Sequence, residues 1–102
     1  MFNYHFQEGP EKTLVIVMAG ELDTLAAQPI QKEIELYKGK NYEKVLFEMS
    51  NLTYMASSGL RVIFYAQKNL GENVKIEIKG AKELVAKILQ ISGMSKYVTT
   101  VP

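Results

Sequence analysis

Cysteine is missing from all 102 residues, and histidine occurs once, at position 5. Disulfides, thiolate nucleophiles and cysteine-ligated metals are therefore excluded, and a histidine-rich metal cluster has no ligands to draw on. Net charge is nearly absent as well: 12 basic and 11 acidic residues leave +1. Lysines alternate with glutamates, as in Glu43-Lys44, Lys75/Glu77/Lys79 and Lys82-Glu83. No single-sign field builds up, so nothing supports nucleic-acid binding. No apolar run approaches the ~18 residues that span a bilayer, and no direct membrane contact is expected. Met1-Phe2-Asn3-Tyr4 lacks the basic start and apolar stretch of a secretory signal, so the chain is expected to be cytoplasmic. The sequon Asn51-Leu52-Thr53 carries no meaning there.

What is present is ordinary globular composition, 47% hydrophobic and 23% charged, in a length that suits one domain over 1–102 and not two. Phe2, Tyr4 and Phe6 alternate with Asn3, His5 and Gln7, the period of a half-buried strand. Glu8-Gly9-Pro10-Glu11 reads as a turn. Leu14–Met18 is apolar throughout and β-branched at three positions, which predicts a strand covered on both sides and paired with the first as an antiparallel hairpin.

Gly20-Glu21-Leu22-Asp23 closes that strand. Asp23 or Thr24 can cap a helix with an apolar stripe of Leu25, Ile30, Ile34 and Tyr37. Pro29 is compatible only with the helix start, which makes an irregular first turn the expectation. Lys38–Asn41 stops the helix. Val45–Met49 is the next strand, followed by a helix marked by Leu60, Ile63, Phe64 and Leu70. Val74–Lys79 alternates as a strand with one wet face. Ala81, Leu84, Val85, Ile88 and Ile91 mark a third helix ending at Gly93. Tyr97–Val101 is a short final strand or an extended tail.

The fold class is α/β. The order predicts a mixed four- to five-stranded sheet: an N-terminal antiparallel hairpin, parallel β-α-β units after it, and helices mainly on one face.

The most informative stretch is Val45–Phe64, where a strand gives way to Ala56-Ser57-Ser58-Gly59 and then to a helix. Two hydroxyls stand where backbone N–H groups are unpaired and the helix dipole is positive, a place that receives a phosphate well. Ala56 has no capping atom, so Ser57 or Ser58 is expected at the N-cap. Gly59 is expected to allow close helix–strand packing or the approach of a partner backbone. Arg61 follows Ser57 by one turn and Tyr65 by two, so both are placed on an exposed face with it. Asp23 is expected to approach the serine turn, since both end parallel strands. Enzyme readings are poor. A serine nucleophile needs a base, and His5 lies on the polar face of the first strand. No phosphate-cradling glycine loop or Gly-x-Ser-x-Gly elbow is present.

Four segments, in order, resemble the STAS domain of bacterial anti-sigma factor antagonists: Gly20-Glu21-Leu22-Asp23, Phe47–Thr53, Met55–Val62 and Ala86–Met94. The resemblance spans nearly the whole chain. It implies a STAS-like domain that takes part in partner switching: it binds an anti-sigma factor that is also a serine kinase, loses that binding when one serine is phosphorylated, and regains it through a PP2C-type phosphatase. By position the acceptor is Ser57, with Ser58 the lesser candidate. The partner-binding set is Asp23, Ser57, Ser58, Gly59, Arg61 and Tyr65. No cofactor, metal or catalytic residue is implied, and the oligomeric state is left open. Two positions depart from the family: its aspartate before the acceptor is Ala56 here, and Glu48 stands where aspartate is frequent. The family's final helix is expected to be short or absent. The second reading is a STAS binding module that takes no phosphate, such as a regulatory subunit of a transporter ATPase.

Overall fold

The computed structural model describes residues 1–71 and 73–102. Strand β1 (Asn3–Gly9) turns back into β2 (Thr13–Leu22), and helix α1 (Thr24–Glu35) leads to β3 (Lys44–Met55). Helix α2 (Ser57–Leu70), β4 (Lys75–Lys79) and α3 (Glu83–Ile91) follow, then a 3₁₀ turn at Met94–Lys96 and β5 (Thr99–Val101). One sheet runs in the order β1-β2-β3-β4-β5. The first pair is antiparallel and the other three are parallel. The final segment is thus a strand on the outer edge of β4.

Side chains alternate across this sheet, and the register shows which face is dry. Ile16 sits opposite Phe47, and Phe47 opposite Ile78; one step away, Leu14, Val45 and Ile76 align in the same way. All six are buried. They form the core with Ala27, Ile30 and Ile34 of α1, Val62, Ile63 and Ala66 of α2, and Val85 and Leu89 of α3. Burying such side chains contributes about 1.5–3 kcal/mol each, which is why the helices collect on this face.

The other face is open. His5, Gln7, Lys75 and Lys79 are exposed there, and Val15, Val17, Leu46, Glu48 and Glu77 are half-buried. The expectation that β2 is covered on both sides is therefore corrected. Val15 and Val17 lie on this uncovered face, where a Lys44–Glu77 ion pair at 3.5 Å links β3 to β4. β-branched residues suit an extended backbone whether or not a helix covers them.

Several boundaries shift. Glu8 and Gly9 pair with Leu14 and Thr13, so the expected turn narrows to Pro10-Glu11-Lys12, with Glu11 and Lys12 both at φ 56°. Strand β3 runs six residues past Met49 to Met55, with irregularities in its pairing to β2. Helix α1 passes through Pro29 without a break. The missing N–H would have met the carbonyl of Leu25 in the exposed first turn, where water can replace it.

Three apolar stripes also differ from the periodicity. Leu25 is 77% exposed, and α1 uses Ala27 in its place. Phe64 is 49% exposed, and α2 packs through Gly59, Val62, Ile63, Ala66 and Leu70. Leu84 and Ile91 face outward from α3, while Leu89 joins Val85 inside.

An aromatic row borders the sheet at β1. Phe2 and Tyr4 stack at 5.9 Å, Tyr4 and Phe6 meet edge-on at 6.0 Å, and Phe6 stacks on Tyr37 at 5.1 Å. Tyr42 closes the row, and its hydroxyl donates to Glu8. Burial, then the bond to Glu8 and its charge, push the Tyr42 phenol well above its ordinary value.

Candidate functional site

The strand-to-helix turn at Ala56 lies at the C-terminal end of β3, directly beside the equivalent turn at the end of β2. The Ala56 N–H donates to the Leu22 carbonyl at 2.9 Å, which ties the two turns together. Helices α1 and α2 consequently start side by side. Their N-termini point the same way, and the partial positive charges of two dipoles fall on one patch.

The two starts are built differently. Asp23 is the N-cap of α1: its Oδ1 accepts from the Ala26 N–H at 2.9 Å. Ala56 is the N-cap of α2 in nearly the same extended conformation, φ −81° and ψ 168° against −95° and −173° for Asp23. No side chain caps α2. The expectation that Ser57 or Ser58 would take that role is corrected, because both lie inside the first turn, one and two residues past the cap. From there a serine side chain points back along the helix and cannot turn onto the N–H groups ahead of it.

Ser57 is exposed and its hydroxyl has no protein partner among the described residues. Ser58 is half-buried, and its Oγ donates to Thr24 Oγ1 across the gap between the helices at 3.1 Å. Asp23, Thr24, Ser57 and Ser58 are thus brought together. Thr24 enters this set as an exposed hydroxyl of its own; the sequence signalled it only as an alternative cap. Leu25, next in the same turn, is a large apolar side chain left 77% exposed. Periodicity assigned it to the core and so hid it.

Gly59 does not reach the surface. A methyl group at its Cα would lie 2.8 Å from Met55 Cγ and 2.9 Å from Leu22 Cδ2, both on buried side chains. Its role is the packing one, which presses α2 onto the ends of β2 and β3. Arg61 is exposed one turn on from Ser57. Tyr65 departs from the face expected of it: it is half-buried and its hydroxyl donates to Glu35 of α1. That bond, followed by desolvation, raises its phenol above the usual value. Glu48 turns away from the serines onto the open face, where it accepts from the Ser50 N–H at 2.9 Å and from its hydroxyl.

No group of three or more His, Asp or Glu among the described residues is arranged to hold a metal ion. No helix among them is long and apolar enough to cross a membrane.

The arrangement defines a mixed α/β domain with helices on one face of its sheet and an accessible hydroxyl at the junction of two helix starts. The STAS domain profile matches residues 5–102. The chain belongs to the STAS domain family. A curated relative, the anti-sigma-B factor antagonist of Listeria monocytogenes, is 26% identical over 84 residues, 81% of this chain and 74% of that protein. Among solved structures, an anti-sigma factor antagonist from Mycobacterium paratuberculosis superposes with a TM-score of 0.86 at 15% identity, covering 100% of this chain and 86% of that one. The Bacillus cell fate determinant SpoIIAA in its phosphorylated form gives 0.74 at 21% identity, covering 98% and 92%. The five-stranded sheet and its helix placement are thus those of anti-sigma factor antagonist structures.

Proposed function

We propose that this chain is an anti-sigma factor antagonist in a partner-switching system. With Ser57 unmodified it binds an anti-sigma factor that is also a serine kinase, and so releases a sigma factor. Phosphorylation of Ser57 ends the binding, and a PP2C-type phosphatase restores it. The chain is then a substrate of its partner and performs no catalysis itself.

The observation that carries this reading is the exposed Ser57 hydroxyl at the unroofed junction of α1 and α2. Asp23, Thr24, Leu25, Ser58 and Arg61 surround it as the docking surface. A partner closing over this patch meets a small neutral hydroxyl before modification. Afterwards it meets a group carrying roughly −1.5 to −2 charges. Desolvating that dianion costs several kcal/mol, which lowers affinity by orders of magnitude. The domain itself has little reason to change, because the added charge stands exposed at a helix N-terminus, where negative charge is favoured.

Incubation with the cognate kinase and ATP, followed by mass mapping, tests the switch. Phosphate is expected on Ser57. Absence of label on both Ser57 and Ser58 refutes it, and would favour the binding module that takes no phosphate.

A further inference from the structure

We propose that the free edge of β1 is a self-association surface. Two copies of this chain pair their β1 strands antiparallel about a two-fold axis through Tyr4, joining two five-stranded sheets into one.

Strand β1 ends the sheet, and among the described residues no strand other than β2 pairs with it. It is seven residues long and its register with β2 runs from Asn3 to Gly9 without a bulge. Every second residue therefore presents its N–H and C=O outward in a regular row. Sheet edges are ordinarily protected from such pairing by shortness, proline, lysine or a bulge. The opposite edge has such protection: β5 is three residues long and Pro102 follows it. Strand β1 has none. Phe2–Gln7 contains no proline, no lysine and no acidic residue.

Charge and shape select the second copy as the occupant. An antiparallel strand pair can be two-fold symmetric, so one surface serves both partners. Phe2, Tyr4 and Phe6 share the helix-bearing face and are only half-buried, with Tyr37 covering Phe6 alone. Directly opposed residues share a face, so the register can shift only in steps that keep this parity. Centred on Tyr4, the pairing sets Tyr4 against Tyr4 and Phe2 against Phe6 of the second copy, all aromatic pairs of the kind that stabilise sheets. On the open face it sets Asn3 against His5. Centring on His5 would instead set Phe2 against Glu8, whose carboxylate is already engaged by Tyr42. The two-fold also points the two Ser57 turns in opposite directions, so both stay accessible.

Sedimentation equilibrium over protein concentrations up to about 1 mM, at pH 7.5, tests this. The weight-average mass is expected to rise from 11.5 kDa toward twice that value. Tyr4→Lys and Tyr4→Glu should each remain monomeric, since each places like charges face to face, while an equimolar mixture of the two should recover the dimer. Thermal melts of both variants confirm that they are folded. As a second measurement that leaves the edge uncharged, Tyr4→Cys in this cysteine-free chain should oxidise to a covalent dimer. Opposed strand residues have Cα atoms about 4.5–5.5 Å apart, within disulfide range. Gln7→Cys, which has no counterpart cysteine in this register, should not cross-link. A monomer at every concentration, a dimer that survives Tyr4→Lys, or equal cross-linking of the two cysteine variants would each overturn the proposal.

Discussion

Replacing Ala56 by aspartate should stabilise the fold, and the size of the gain can be worked from the chain's own second cap. Asp23 starts α1 from an extended backbone and accepts the Ala26 N–H at 2.9 Å. Ala56 starts α2 from nearly the same backbone with no acceptor to offer. The group three residues on is the Gly59 N–H, now satisfied only by the Ala56 carbonyl at 2.8 Å. A carboxylate at 56 adds an acceptor at the start of the helix, a change worth about 1 kcal/mol within a range of roughly 0.5–2. Part of that is the favourable sign of the charge at a helix N-terminus. In a domain of this length 1 kcal/mol raises Tm by about 5 °C. Urea and thermal denaturation at neutral pH measure it, with Ala56→Asn separating the acceptor from the charge and Asp23→Ala giving the converse loss. Equal or lower stability for both Asp and Asn would refute the claim that α2 lacks a cap.

Three further outcomes follow from the same geometry. Ser57→Asp should leave Tm within about 2 °C, while binding to the cognate kinase falls at least 100-fold by calorimetry; unimpaired binding would remove Ser57 from the interface. Leu25→Ala should weaken the same complex by about tenfold, because truncating an apolar interface side chain costs about 1 kcal/mol or more, yet should alter stability by no more than about 0.5 kcal/mol given its exposure. Stability should also fall as pH climbs above about 10, the ordinary phenol value: the fold favours the neutral form of Tyr42, so its contribution is complete below that pH and is lost as the phenol ionises. Tyr42→Phe should make the decline of unfolding free energy between pH 9 and pH 11 shallower, and an unchanged slope would separate Tyr42 from it.

Alternation and helical spacing carried most of this architecture, and the failures have physical causes. Val74–Lys79 was legible because one buried face imposes period two, whereas Leu14–Met18 and Val45–Met49 showed only as largely apolar runs, which mark a strand without telling whether one face or both are covered. The extension of β3 through Ser50, Asn51 and Thr53 was not legible, because those residues are exposed and interrupt the apolar run, although the Thr53 hydroxyl donates to the Gly20 carbonyl of β2 at 3.1 Å. Leu25, Phe64, Leu84 and Ile91 match helical stripes in composition, yet each helix has a narrower contact than its apolar content allows. At the candidate site, the serines were visible as a break between two apolar runs. The approach of Thr24 to Ser58 was not, since residues 34 positions apart meet only once β2 and β3 lie parallel. The inward turn of Gly59 could be foreseen only as one of two alternatives, because a glycine shows nothing of which side it packs on.

The bare α-carbon of Gly59 has a further consequence. With Met55 and Leu22 seated against it, the start of α2 is bolted to the ends of two strands. A modification two residues upstream can then alter what the surface displays while the backbone beneath stays put. Spectroscopic measures of shape, such as far-ultraviolet circular dichroism, would scarcely separate the two forms, and only a molecule that touches the patch could tell them apart. The state would be written as a mark on a rigid tablet, with all of the reading left to whatever lands on it.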